Sequence, residues 1–325
     1  MNDRRSQSGF ILVATIWLTL IVFVLAGLFS FYANQQLDKA VISKQRAKEQ
    51  LDSFSLENTL LYTFSTNSVN RAGLLLDGGE NTLRLDGTVY RGVGDLLFSV
   101  NDYAGLVGLN SANSKHLEEL LKVYETDGLK RAALLAALAD YIDQDDRPRL
   151  AGREAAAYRV ASMPGPSNEY LKSTRELYRV YGWREWLLAH PDFDVDTWLS
   201  TNWRSRLNVN TASEVLVEKV LPLSESEKSK FLQRRRQNPY RNIGDLNEVT
   251  NLRTELDEDF YTFFPIHEVR FRILSENNRK ISTFVVFFNP MSVSAPWEID
   301  HRYQIENSRG SRESSWALAS EYFDR

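Results

Sequence analysis

Residues 10–32 read Phe10-Ile-Leu-Val-Ala-Thr-Ile-Trp-Leu-Thr-Leu-Ile-Val-Phe-Val-Leu-Ala-Gly-Leu-Phe-Ser-Phe-Tyr32, without a charged side chain. As a helix this stretch is about 34 Å long, enough for a hydrocarbon core of about 30 Å. A buried globular helix is the competing reading, but few such helices are apolar all round at this length. The stretch is the chain's one candidate span. Arg4 and Arg5 precede it, which places the N-terminus in the cytoplasm and the rest outside. Lys39, Lys44, Arg46 and Lys48 follow it, beyond Asp38 and mixed with acids.

Ahead of the span stands a short polar, basic leader, Met-Asn-Asp-Arg-Arg-Ser-Gln-Ser-Gly9, with Gly9 joined directly to Phe10. A cleavable secretory signal would have a shorter apolar region and a small-residue cleavage site; this one ends in Phe-Ser-Phe-Tyr32. The leader resembles the type III leader of prepilins and pseudopilins. That resemblance implies cleavage after Gly9 on the cytoplasmic side by a prepilin peptidase. The mature chain would then start at Phe10, often N-methylated. Most of that class carry glutamate at the fifth mature position, where this chain has Ala14. An intramembrane carboxylate is costly and needs a partner; Ala14 asks for none.

Composition narrows the functions. The 325 residues carry a formal charge of 39 − 43 = −4, with 43% hydrophobic and 25% charged residues, an ordinary globular balance. Mild acidity argues against a nucleic-acid binder that relies on a strong overall positive field. With no cysteine, disulfides, thiolate zinc sites and cysteine nucleophiles are excluded. His116, His190, His267 and His301 show no HExxH or HxH spacing, which speaks against a zinc hydrolase.

Beyond the span, Leu37, Val41, Ile42, Leu51, Phe54, Leu56, Leu60 and Leu61 recur with helical periodicity, and the first proline is Pro148. One long helix from about Phe10 to about Phe64 is expected, its outer half packing on a sheet. Leu83–Tyr90 and Leu96–Asp102 read as strands, with Asp86-Gly87 as a hairpin signal. Lys115 to about Asp143 turns helical. Strands return after Pro265, at Val269, Phe271 and Ile273 and at Ile281–Phe288. A last hairpin is expected between Tyr303–Ile305 and Trp316–Phe323. The first strand group is too small to stand alone, so the economical reading is insertion of a helical block into one head.

Two motifs lie in that block. The first runs Asp140-Tyr-Ile-Asp143-Gln-Asp145-Asp146-Arg-Pro-Arg-Leu-Ala-Gly152-Arg-Glu154, then Tyr158. Asp143, Asp145 and Glu154 fall at positions 1, 3 and 12 of an EF-hand loop, but Arg147 and Pro148 stand where that loop has a ligand and glycine, so it is not an EF-hand. The acids read either as a solvated helix end offset by Arg147 and Arg149, or as hard-cation ligands in another geometry: Asp143, Asp145, Asp146 and Glu154. The second motif is Leu207-Asn208-Val209-Asn210-Thr211-Ala212-Ser213, followed by Phe231, the run Arg234–Arg236, and Ile243-Gly-Asp-Leu246. Its spacing resembles a helix-hairpin-helix repeat. Asn210 or Thr211 is the expected cap of the next helix. The hairpin, Pro222-Leu-Ser-Glu-Ser-Glu-Lys228, lacks glycine and carries two acids, so no phosphate cradle is expected. Arg234–Arg236 reads first as a solvated face.

Taken in order, the leader, the span lacking glutamate, the Asp143-x-Asp145/Gly152-x-Glu154 stretch, Asn168 with Ser173–Gly182, and the Asn-Thr-Ala-Ser repeat resemble the type II secretion minor pseudopilin K (GspK) family over nearly the whole chain. The resemblance implies an α+β fold: a pilin-like long N-terminal helix packed on a small antiparallel sheet, with a large inserted all-α domain. The expected divisions are 1–9 leader, 10–32 span, 33–112 helix and first part of the head, 113–263 helical insertion, and 264–325 second part. It implies a structural role at the tip of a periplasmic fibre, not an enzyme. The partners implied are I- and J-class minor pseudopilins, other pseudopilins, the prepilin peptidase and the inner membrane, with no nucleic acid. At family level it also implies Ca²⁺ in the helical domain. Two rival readings are a membrane-anchored periplasmic hydrolase, for which Asp143 with Glu154 is the only acid pair to watch, and a DNA-uptake protein using Arg234–Arg236.

Overall fold

The computed structural model describes residues 8–111, 115–221, 223–249, 258–275 and 280–306. Helix α1 runs Ser8–Thr66, with no proline to break it and a single glycine, Gly27, beyond its first turn. The chain divides into two units, Met1–Ser55 and Leu56–Arg325. In the first, side chains 10–32 are all exposed, as a lipid-facing surface requires. The two threonine hydroxyls there are satisfied within the helix: Thr15 Oγ1 donates to the Leu12 carbonyl at 2.8 Å and Thr19 Oγ1 to the Thr15 carbonyl at 2.8 Å.

The second unit begins where the helix starts to bury side chains. Leu56, Leu60, Leu61 and Phe64 recur at helical spacing and enter a core with Leu83, Phe98, Val100, Phe271, Phe284 and Phe288. The helix ends as Asn67 donates twice to the Thr63 carbonyl, from its backbone at 3.1 Å and from its amide at 3.0 Å. Next come β1 (Gly73–Leu76) and β2 (Asn81–Arg84), a separate antiparallel pair, then β3 (Asp86–Arg91) and β4 (Leu96–Asp102). The run expected as one strand over Leu83–Tyr90 is split at Leu85 between two sheets. Asp86-Gly87 is therefore not a hairpin turn. Gly87, at φ +84°, sits in a register shift of β3 against β4, a bulge that favours a residue without a Cβ.

After β4 the chain leaves for a long helical excursion and returns in β9 (Glu268–Ser275), β10 (Lys280–Phe288) and β11 (Trp297–Glu306). All pairings in the five-stranded sheet are antiparallel, in the order β11-β10-β9-β4-β3. Phe98 lies opposite Ile273, so the centre of the sheet joins strands separated by the whole excursion. Alternation follows the pleat. Phe98, Val100, Phe271 and Phe284 face α1, with Phe64 edge-on to Phe271 at 5.0 Å and stacked on Phe288 at 5.3 Å. Leu97, Leu274, Ile281 and Ile305 form a smaller cluster on the other face. Arg302 of β11 grips Glu57 of α1 through two hydrogen bonds of 2.9 and 2.5 Å. β11 pairs with β10, while Trp316–Phe323, the other arm of the hairpin expected there, lies outside the described residues.

The excursion holds α2 (Lys115–Tyr124), α3 (Gly128–Ile142), α4 (Ala155–Val160), α5 (Trp183–Ala189), α6 (Val195–Trp198), α7 (Glu214–Val220), α8 (Glu225–Gln237) and α9 (Ile243–Asn247). Two short parallel pairs pin it, β5 (Val107–Gly108) with β6 (Leu199–Ser200) and β7 (Leu207–Asn208) with β8 (Tyr261–Thr262). Its core is its own, built on Trp183, Tyr158, Leu177, Phe231 and Tyr240. The helical segment expected at 113–263 lies inside the stretch 103–267 that separates β4 from β9. Both ends of that stretch lie at one end of the sheet, where Asp102 pairs with Val269 and the His267 carbonyl accepts from Phe288 N at 2.8 Å; Phe288 stacks on Phe64 near the end of α1.

Candidate functional site

The last residue of β4, Asp102, is fully buried. Its carboxylate gathers donors from three directions. Ala104 N, 3.2 Å away, turns the chain out of the sheet. Ile266 N, at 3.1 Å, belongs to the returning chain. Asn208 Nδ2 at 2.8 Å and Thr211 Oγ1 at 2.6 Å come from the Asn-Val-Asn-Thr-Ala-Ser run. Burial pushes Asp102 up to about 6 even against these hydrogen bonds. A second pin is Arg270 of β9, also buried. Its guanidinium donates to the carbonyls of Asp196 (2.8 Å), Thr197 (2.9 Å) and Leu199 (3.1 Å) at the end of α6, and to Asn101 Oδ1 (3.2 Å). A cation at carbonyl groups that end a helix is favourable.

Asn208, Asn210 and Thr211 of the run thus join parts of the molecule instead of capping a helix. Asn210 Nδ2 donates to the carbonyls of Tyr240 and Phe263 at 2.8 and 2.9 Å, and its Oδ1 accepts from Tyr240 N at 2.9 Å. The cap of α7, expected at Asn210 or Thr211, is Ser213, whose Oγ accepts from Leu216 N at 3.2 Å. Around the motif, Leu216, Val220, Leu221, Phe231 and Leu246 are buried in one core, and Leu232 and Ile243 pack against it. Pro222 of the hairpin lies outside the described residues. Arg234–Arg236 is not a free basic face. Arg235 is buried and donates to the carbonyls of Val209 (3.3 Å) and Ala212 (2.6 Å). Arg236 pairs with Glu214 at 2.6 Å, and Arg234 lies 3.7 Å from both Asp245 and Glu248. Neutralised in this way, the run offers little to a phosphate backbone.

The acidic motif folds into a compact group. Asp140, Asp143 and Glu154 each bring a carboxylate oxygen within 4.8 Å of the others. Asp140 and Asp143 lie one turn apart at the end of α3, and Glu154 precedes α4. Tyr158, at the end of the motif, is fully buried and accepts from Tyr181 N at 2.9 Å, which anchors α4 against the chain beyond it. Gly152 is required by closeness: a Cβ there would lie 1.9 Å from Asp140 Oδ2. Arg149 Nη1 donates to Asp140 Oδ1 at 2.8 Å and also pairs with Asp143 Oδ2, and Arg149 N lies 3.2 Å from both Asp140 oxygens. Glu154 is only 6% exposed, yet neither of its oxygens has a hydrogen-bond partner; Asp143 Oδ1 has none either. Burial, and then the charges of Asp140, Asp143, Asp146 and Asp145, push Glu154 up to about 7.

Of the sequence-predicted ligands, the structure brings Asp143 and Glu154 together. Asp145 and Asp146 are exposed and turn to their own loop: Asp145 accepts from Arg147 N at 2.8 Å, and Asp146 lies 3.5 Å from the Asn168 amide. Asp140 takes the third place. Its signal was readable, since a residue three before Asp143 on a helix shares its face. Asp102 had no local signal, because its partners lie up to 164 residues away. At the other end of the chain, Gly9 and Phe10 fall in the first turns of α1, and Ala14 is exposed on that helix.

Residues 97–190 match the family model described as type II secretion system (T2SS), protein K. Among solved structures, this chain is similar to a chain of the GspK-GspI-GspJ complex from the enterotoxigenic Escherichia coli type 2 secretion system. The TM-score is 0.53 and the identity 15%, over 81% of this chain and 98% of that one. At that identity the likeness speaks to the fold. No curated protein matches the sequence.

Because Asp102 is raised from 3.8 to about 6, its ionisation costs the folded state: its contribution is most favourable below about pH 4 and declines as pH rises towards 6. Asp102→Asn should flatten that slope in thermal melts. It should also cost about 1–3 kcal/mol at pH 7, since an amide would turn an N–H group on donors. An unchanged melting temperature with an unchanged pH profile would contradict this.

Proposed function

We infer that this chain is a minor pseudopilin, a reading supported by the match of residues 97–190 to the type II secretion system protein K family model. Its work is structural. It occupies the tip of a periplasmic pseudopilus and helps to start assembly with other minor pseudopilins. The observation that carries the reading is the position of the helical excursion. The chain enters the head along α1 from Leu56, and the stretch 103–267 rises from the sheet end where α1 finishes. A fibre built by packing N-terminal helices side by side must add subunits above as well as below. A second folded core at that end obstructs any subunit above. The position of Ala14 agrees, for a terminal subunit has no amine above it to pair with a carboxylate.

The residues 10–32 serve as a single-pass inner-membrane anchor, with the head in the periplasm. Processing occurs after Gly9, leaving an N-methylated Phe10. The partners are I- and J-class minor pseudopilins, a reading supported by the likeness to a chain of the GspK-GspI-GspJ complex, along with the prepilin peptidase. The acidic group suits Ca²⁺. It offers oxygen donors only, two of its carboxylates have oxygens without partners, and a buried carboxylate left unpaired calls for a cation. Asp140, Asp143 and Glu154 would hold the ion, which would tie the end of α3 to the start of α4.

Co-expression with active prepilin peptidase should give a chain whose mass and N-terminal peptide begin at methylated Phe10. An inactive peptidase should leave Met1 in place. Cleavage beyond residue 32, or none, would sink the pilin-like reading and return the anchored hydrolase. For calcium, EDTA should lower the melting temperature by several degrees, and Asp143→Ala should remove that sensitivity; equal melts with and without EDTA would leave these acids as a cluster held by Arg149 without a bound ion.

A further inference from the structure

The group Asp140–Asp143–Glu154 contains one basic side chain, and its placement is specific. Arg149 engages one oxygen of each aspartate, Asp140 Oδ1 and Asp143 Oδ2, through the same Nη1. The second oxygen of Asp143 and both oxygens of Glu154 remain without hydrogen-bond partners. Glu154 is more than nine-tenths buried, so its open oxygens are an observation independent of the clustering itself. The Arg149 side chain is 42% exposed. Three formal negative charges facing one positive charge leave a balance of −2.

We propose that Arg149 sets the valence of this site: its guanidinium clamps the two aspartates by one oxygen each, the other Asp143 oxygen and both Glu154 oxygens stay open, and the net charge left matches a divalent ion. The inference rests on the calcium reading of the site. Oxygen donors alone do not discriminate among hard cations, since calcium and the trivalent lanthanides accept the same ligands at similar distances. Charge does discriminate. A guanidinium a few ångströms from the ion repels a trivalent ion half as much again as a divalent one. Asp145 and Asp146 add negative charge near Glu154, but both are exposed and screened by salt. Arg153 is occupied with the carbonyls of Ala151 and Gly152 and does not reach the carboxylates by hydrogen bond. Arg149 is therefore the cation in direct contact with the ligands, a positioning residue that acts through Asp140 and Asp143.

The test is the affinity ratio of Tb³⁺ to Ca²⁺, measured by calorimetry on the full chain in detergent. Three proteins are compared: the natural chain, Arg149→Gln and Arg149→Lys. Arg149→Gln should raise the ratio on the order of tenfold. Arg149→Lys keeps the charge and should hold the ratio near that of the natural chain, even where its different shape changes both affinities. Equal gains or equal losses for the two ions in Arg149→Gln would overturn the proposal. Arg149 would then be a side chain that swings away on binding, or a purely structural pin, and the calcium reading would stand. Absence of Ca²⁺ binding to the natural chain would remove the calcium reading, and the proposal with it.

Discussion

A carboxylate cut off from water, Asp102, meets the end of strand β4, the asparagine-rich run before α7 and the chain returning towards β9. A buried acid tolerates such a place only when each lone pair has a donor. Here three of the donors lie 106 to 164 residues from Asp102 in sequence, so the carboxylate is fully satisfied only when those segments are in place. Arg270, a few residues along β9, imposes the matching demand from the other charge sign: its guanidinium needs the carbonyls that end α6. Together these two buried charges fix the helical excursion on the sheet far more tightly than a linker would.

That constraint has a mechanical consequence. A fibre subunit with a freely swinging appendage would let neighbours push it aside. One whose appendage is pinned at the end of its sheet presents a fixed obstacle. The same pins separate two apolar cores, one around Phe271 and Phe98 and the other around Trp183 and Tyr158, so each can be well packed without the other. The acidic group at Asp140, Asp143 and Glu154 lies within the helical excursion, so loading by a cation would tune the rigidity of that part while leaving the sheet unchanged.

Much of this was readable from residues, and what was not has a physical cause. The long helix was legible because an uncharged run and a periodic apolar stripe follow each other without a proline. Strand β4 and strands β9 and β10 were legible from alternation and β-branched residues. The turn assigned to Asp86-Gly87 was wrong because the same dipeptide that closes a hairpin also suits a bulge, and only the partner strand decides between them. The helix cap was misplaced for a related reason: asparagine and threonine side chains bond equally well to distant partners, Asn210 to the carbonyls of Tyr240 and Phe263 and Thr211 to the Asp102 carboxylate. The run Arg234–Arg236 looked solvated because sequence does not reveal that Arg235 faces the carbonyls of Val209 and Ala212. At the acidic group the spacing indicated Asp143 and Glu154, and the helix face would have added Asp140. The neighbouring Asp145 and Asp146 look identical in sequence and differ only in how the loop turns them.

The account stands or falls on a terminal position. The direct measurement is electron microscopy of pseudopili assembled from the major pseudopilin together with this chain, gold-labelled through a tag on an exposed loop of the helical excursion. The account predicts a single label at one end of each fibre. Labels spaced along the shaft would show that the excursion is accommodated between neighbours, and would contradict it.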